Sequence, residues 1–163
     1  MTLIELLVVI ALIAVSVGIV GMSVSNSGKN NLRECANSAN AMISRVRINS
    51  MYRPQPVWIE IRTDGSHIIA EYIENGVIID TKNLGRTNIT VSYAVGGIPN
   101  SVEVTSVNSL RISFTRRGAL IMVDAEGNKI DGSLTQIRFS LGDSLTYVID
   151  ITPSTGSRRV GVG

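Results

Sequence analysis

The first 24 residues form an apolar segment with one charged side chain, Glu5, and they constrain the fold more than any other feature of the chain. As a helix with a rise of ~1.5 Å per residue, this segment reaches roughly 36 Å, enough to cross the ~30 Å hydrocarbon layer of a membrane. A carboxylate on such a surface is costly unless it has a partner of opposite charge. The α-amino group at Met1 of a neighbouring copy can supply that charge, whereas a residue's own terminus is hard to reach along a helix. The segment therefore predicts a membrane-anchor helix, residues 1–24, in a subunit that assembles.

The run Thr2-Leu3-Ile4-Glu5-Leu6-Leu7-Val8-Val9 resembles the N-terminus of mature type IV pilins and type II secretion pseudopilins, in which Phe usually stands where this chain has Met1. The resemblance implies that a prepilin peptidase removes a leader, that the new amine at Met1 is methylated, and that Glu5 neutralises this amine in the adjacent subunit. Met1 is then either the mature first residue or an initiator.

The resemblance further implies a homo-oligomeric helical filament that is built by an inner-membrane assembly platform and an ATPase. It places the chain in the cytoplasmic membrane through a single-pass anchor before assembly. After assembly, it places the chain in an extracellular filament or a periplasmic pseudopilus.

A flexible break and a second helix are predicted after the anchor. Gly18 and Gly21 weaken the helix, and the polar segment 25–31 is the candidate interruption. Apolar residues then recur at spacings of three and four, which predicts an amphipathic stem, residues 25–53, that ends before Pro54. The opposite, polar face of this stem carries Arg33, Asn37, Asn40, Ser44 and Arg47.

The remainder of the chain, residues 54–163, has the pattern of a strand-rich head. Val57–Arg62 alternates apolar and polar residues, and Asn75-Gly76 between two apolar runs is a strong hairpin signal. Further strands are expected at 90–95, 102–105, 110–115, 119–123, 135–141, 145–152 and 158–162. We therefore predict an α+β fold, in which a long N-terminal hydrophobic helix packs against a C-terminal antiparallel β-sandwich or curved β-sheet.

Residues that could support catalysis or bind metals are few. The single cysteine, Cys35, has helical apolar spacing and is expected to be a buried core residue, and the single histidine, His67, lies in a strand pattern. The acidic segment 124–131 lacks the calcium-loop spacing and is interpreted as a turn between strands. We therefore expect neither an enzyme nor a cofactor.

Two distal segments, 114–118 and 149–160, resemble the GspH/FimT group of minor pilins and pseudopilins. Members of this group prime or cap filaments, and some bind DNA for uptake through C-terminal arginines. The corresponding candidates for DNA binding are Arg116, Arg117, Arg158 and Arg159. Charged side chains that discourage edge-to-edge sheet pairing are the alternative interpretation of these arginines.

Three functions follow from the sequence. The first is a structural subunit of a type IV pilus or pilus-like filament, whose head determines adhesion, twitching or secretion partners. The second is a low-abundance minor pilin that primes filaments or captures DNA. The third is a singly anchored envelope protein that does not polymerise.

Overall fold

A computed structural model describes residues 3–86, 88–96, 101–142 and 145–163, and the side chains of residues 3 and 14–27 lie outside that description. The contacts within the chain separate two units, Met1–Asn31 and Leu32–Gly163. The first unit is helical where it is described. The second unit combines the end of the same helix with all of the strands.

One helix, α1, runs from Leu3 to Tyr52. The predicted break at residues 25–31 is absent, because the backbone remains helical through this segment. The Ser and Asn residues of segment 25–31 have only modestly unfavourable helix propensities, and its one glycine reduces helix stability by about 1 kcal/mol relative to alanine. Gly18 and Gly21 also lie within the helix, and their predicted loosening in a filament stays a prediction. The end of α1 is confirmed immediately ahead of Arg53 and Pro54.

Eleven strands are found in the described residues, and they form two antiparallel sheets. The six-stranded sheet has the order β3-β2-β1-β6-β7-β8, and the five-stranded sheet has the order β11-β10-β9-β4-β5. The strand bounds are β1 Val57–Thr63, β2 His67–Glu74, β3 Val77–Arg86, β4 Thr90–Val95, β5 Ser101–Glu103, β6 Leu110–Phe114, β7 Leu120–Val123, β8 Lys129–Ile130, β9 Leu134–Leu141, β10 Leu145–Thr152 and β11 Ser157–Val162.

The predicted hairpin between β2 and β3 is confirmed. Asn75 and Gly76 both have positive φ, 53° and 79°, as a mirror-image two-residue turn requires. Val77 pairs with Glu74 directly across the turn. The other predicted strands are also present, within two residues of their expected bounds, whereas β8 was not predicted.

The second unit has one main hydrophobic core, to which the helix and both sheets contribute. The contribution of the helix is an apolar stripe whose members are at most 5% exposed: Leu32, Cys35, Ala36, Ala39, Met42, Ile43 and Val46. These positions agree with the predicted helical spacing. Burial of Cys35 is confirmed, and desolvation raises the pKa of its thiol to about 12.

The predicted fold class and membrane anchor require correction. Two antiparallel sheets dominate the described residues, so the fold is mostly β rather than α+β with a hydrophobic stem. Within the same residues, no helix is both long enough and apolar enough to cross a membrane. The single-pass anchor is therefore wrong, and so is the cellular location that was derived from it.

Candidate functional site

The N-terminal unit exposes apolar side chains on all sides of its helix. Eight side chains there are between 44% and 73% exposed: Ile4, Leu6, Leu7, Val8, Val9, Ile10, Leu12 and Ile13. Successive residues of an α-helix are about 100° apart, so the consecutive members at 6–10 encircle the helix completely. A helix that is apolar all round is normally covered by other apolar groups. We name this surface the apolar collar.

Glu5 lies within the apolar collar, in the first turn of α1, and it is exposed like its neighbours. A carboxylate in the first turn is favourable for the helix, because it faces the positive end of the helix dipole. Met1, the predicted pairing partner and methylation site, lies outside the described residues. The geometry thus gives the surroundings of Glu5, and its pairing with the amine of another chain stays a prediction.

The four predicted DNA-binding arginines lie on two elements. Arg116 and Arg117 are exposed in the β6–β7 turn, which is closed by a 2.8 Å hydrogen bond from the Gly118 amide to the Thr115 carbonyl. In β11, Arg158 is half-buried while its neighbour is exposed. This alternation is expected within a strand, because adjacent residues point to opposite faces of the sheet.

Arg158 is bound to the helix rather than extended into solvent. Its Nε donates to Asn40 Oδ1 at 2.9 Å, and its Nη2 donates to Ser44 Oγ at 2.7 Å. The guanidinium carbon also lies 5.7 Å from the centre of the Phe114 ring. Burial, and then the nearby charge of Arg47, lower the pKa of Arg158. A phosphate group would therefore have to compete with two side-chain acceptors for this guanidinium.

Arg47 is a member of this group that the sequence did not indicate. It follows Asn40 and Ser44 at i+7 and i+3, so the three residues share one face of α1. Its Nη2 donates to the Thr155 carbonyl at 2.9 Å. The sequence placed this polar face opposite the core, whereas the structure packs part of it against β11 and the β10–β11 turn. No local signal in the sequence identifies β11 as the partner of this face.

The β6–β7 and β10–β11 turns pack directly against each other beside Arg47. The Leu120 amide donates to the Pro153 carbonyl at 2.8 Å. A Cβ atom at Gly156 would lie 2.3 Å from the Gly118 carbonyl oxygen, and Gly156 has a φ of 62°. The two backbones are thus in contact at a position that only glycine fits.

We name this region the arginine seam and define it by Arg47, Arg158 and the turn residues Arg116 and Arg117. Among the described residues, none of these arginines lies within 4.0 Å of a carboxylate, whereas Arg45, Arg53, Arg62 and Arg111 each form an ion pair. The arginine seam is therefore a concentration of positive charge without neighbouring negative charge in the described part of the chain.

Residues 124–128 of the acidic segment form a turn, as the sequence predicted, and the segment then continues into β8. Asp124 Oδ1 accepts hydrogen bonds from the backbone amides of Glu126 at 3.0 Å and Asn128 at 2.8 Å. His67 is the first residue of β2, and its Nδ1 lies 3.9 Å from Asp64 at the surface. The Asp124 and Asp64 carboxylates therefore both take part in local turns.

No protein-family model, curated protein or solved structure matches this chain.

Proposed function

We propose that this chain is a structural subunit of a type IV pilus-like filament, in which the apolar collars of neighbouring chains pack together. The observation that supports this proposal most strongly is the continuous exposure of apolar side chains around residues 4–13. An isolated apolar helix in water is unfavourable, and identical helices from other copies offer a matching surface.

The energy available from such packing is considerable. Full burial of a Val, Leu or Ile side chain contributes about 1.5–3 kcal/mol, and the side chains of the apolar collar are roughly half exposed. Covering eight of them would contribute about 6–12 kcal/mol per chain. This is comparable with the ~4–15 kcal/mol that association costs in lost translational and rotational freedom. Contacts with several neighbours at once, as in a helical filament, tip the balance towards assembly.

Glu5 supplies the directional element in this proposal. When the collars pack, the carboxylate becomes buried with the apolar side chains around it, and burial of a charge is costly unless it is paired. The N-terminal amine of a neighbouring chain provides the opposite charge. Because the attraction between a carboxylate and an amine is strong only at short range, formation of this pair would set the axial offset between subunits. The peptidase, the platform and the ATPase stay predictions that rest on the N-terminal resemblance.

An assembly measurement on the full chain tests the role of the collar. Ile10→Gln replaces a side chain that is 58% exposed in the apolar collar, and Ile79→Gln replaces one that is 54% exposed on β3. We expect Ile10→Gln to reduce the sedimentable, filamentous fraction seen by centrifugation and negative-stain electron microscopy, while Ile79→Gln leaves it unchanged. Equal loss in the two variants would mean that general surface hydrophobicity, not the collar, causes association.

A minor pilin that binds DNA is the second candidate function. The observation in its favour is that Arg116 and Arg117 are exposed together on one turn and form no ion pair with a carboxylate in the part of the chain that the structure describes. Two such contacts give a salt dependence of only about −1.8 in log K against log[salt], so affinity per chain would be low. We expect Arg116→Gln with Arg117→Gln to weaken binding of a short DNA duplex, whereas Arg33→Gln, an exposed helix arginine, has no effect. Unchanged affinity in the double variant would remove this candidate.

A further inference from the structure

Two guanidinium groups of the arginine seam lie at the same face of α1, because Arg158 bonds to Asn40 and Ser44, and Arg47 follows Ser44 by three residues. Arg47 and Arg158 are both half-buried, and both are fixed by hydrogen bonds, to the Thr155 carbonyl and to Asn40 and Ser44. Every acceptor in these bonds is neutral. The repulsion between the two positive charges is therefore not compensated by any carboxylate in the described residues.

Each of the two arginines also has a donor without an acceptor. Arg47 Nε and Arg158 Nη1 are buried and make no hydrogen bond among the described residues. A buried donor left unpaired costs about 1–3 kcal/mol, and more when it belongs to a charged group. Native proteins normally satisfy such groups with a protein acceptor, a water molecule or an ion. Two unpaired donors on two adjacent cations point to an anion more than to water, because water does not reduce the repulsion.

We propose that the arginine seam is a binding site for a phosphate-type oxyanion, held between Arg47 and Arg158. A tetrahedral oxyanion has enough oxygens to accept from two guanidinium groups at once, and charge-assisted bonds of this kind are short and strong. Arg116 and Arg117 stand at the rim and add to the local positive potential. The β6–β7 turn lies beside one of these donors, since a Cβ atom at Gly118 would lie 3.6 Å from Arg47 Nε, and the anion reaches this donor when the turn is displaced.

The phosphate group can come from two sources that share this chemistry. One is free inorganic phosphate, and the other is the phosphodiester backbone of a nucleic acid. The rim arginines distinguish these sources, because a bound duplex extends beyond Arg47 and Arg158 and contacts Arg116 and Arg117, whereas one phosphate ion is held by Arg47 and Arg158 alone. The proposal does not depend on filament assembly.

The test is a thermal unfolding titration of the full chain with sodium phosphate, compared with sodium chloride at equal ionic strength. A ligand that binds only the folded state stabilises it by RT ln(1 + [L]/Kd), so the melting temperature begins to rise near Kd and then increases with the logarithm of the ligand concentration. We expect such a rise with phosphate beyond that with chloride. The phosphate concentration at which the rise begins should increase at least tenfold in Arg47→Gln. Arg159→Gln, on the opposite face of the same strand, should behave as the wild type.

Arg47→Lys keeps the charge but loses the forked geometry, and we expect its affinity to lie between those of the wild type and Arg47→Gln. Comparing shifts rather than melting temperatures keeps the test valid if a variant is less stable. A short DNA duplex that displaces phosphate, with an affinity that falls in Arg116→Gln, supports the site with a nucleic-acid source. Absence of displacement supports it with free phosphate. A rise no larger than that with chloride, or one that is the same in Arg47→Gln, overturns the proposal.

Discussion

Cys35 gives a quantitative test of how tightly the helix packs on the sheets. Its side chain is 0% exposed, and a Cβ atom at Gly85 would lie 3.4 Å from its Sγ, so the thiol is in contact with β3. Desolvation raises the pKa of this thiol from 9.0 to about 12. In the unfolded chain the thiol ionises near pH 9, whereas in the folded chain it remains neutral. The unfolded state therefore binds fewer protons above pH 9, and the stability of the fold decreases as the pH rises.

The size of this effect follows from the two pKa values. Between 9.0 and about 12 the difference corresponds to about 4 kcal/mol at 1.36 kcal/mol per pKa unit, and this loss is complete only above the folded-state pKa. At about pH 10.5 the expected loss is about 2 kcal/mol relative to pH 8. Tyrosines and lysines also titrate in this range, so the contribution of the thiol must be isolated by a variant.

The assay is urea unfolding at pH 8 and at about pH 10.5 for the wild type and for Cys35→Ala. We expect the wild type to lose about 2 kcal/mol more than the variant between the two pH values, whatever the stability of the variant at pH 8. In the folded protein, the thiol should also resist alkylation at pH 8 and react once urea unfolds the chain. An identical pH dependence in the two proteins would refute the burial of Cys35 between helix and sheet.

Two further predictions concern the seam and the outer sheet face. Gly156→Ala should reduce the free energy of unfolding by about 2–4 kcal/mol in urea titrations, because its Cβ would lie 2.3 Å from the Gly118 oxygen at a residue with positive φ. The control is Gly161→Ala, which has open space around it and should reduce the free energy of unfolding by less than about 1 kcal/mol. Equal losses in the two variants would contradict this reasoning. Burial raises the pKa of Glu60, but hydrogen bonds and the charge of Arg111 have the larger combined effect, so the pKa of Glu60 is lowered overall. The ionised Glu60 carboxylate therefore stabilises the fold above about pH 4.5, and this stabilisation is lost as the pH falls through the folded-state pKa. Glu60→Gln should therefore flatten the acid side of the stability profile measured by thermal unfolding, and an unchanged profile would contradict the pairing.

The strand content was predictable because it depends on local patterns. The Asn75-Gly76 turn has positive φ at both positions, a conformation that only a few residue types adopt readily. In β1, apolar and polar residues alternate because one face of the strand packs against the core. The two-residue strand β8 was missed, because Lys129–Ile130 is too short to show a period. The continuity of α1 through residues 25–31 was also missed, since Ser, Asn and Gly weaken a helix without excluding it.

The candidate site was only partly predictable. Arginines in the segments 114–118 and 149–160 are candidates through the resemblance to the GspH/FimT group, but the role of each depends on tertiary contacts. Arg158 bonds to Asn40 and Ser44, more than 110 residues earlier in the chain. Arg47 belongs to a polar helix stripe that the sequence alone assigns to solvent. The position of β11 against that stripe is a non-local property, so no short motif could show it.

The most direct test of the account is intermolecular cross-linking in assembled material. Equal amounts of ¹⁴N- and ¹⁵N-labelled full-length chain are mixed, assembled and treated with a carbodiimide, which joins a carboxylate to an amine only when the two are in contact. We predict a peptide that links Glu5 of one chain to the N-terminal amine of another, recognised by mass spectrometry from its mixed isotope pattern and missing from Glu5→Gln. Links within single chains alone, or assemblies without any link at Glu5, would contradict the proposed pairing.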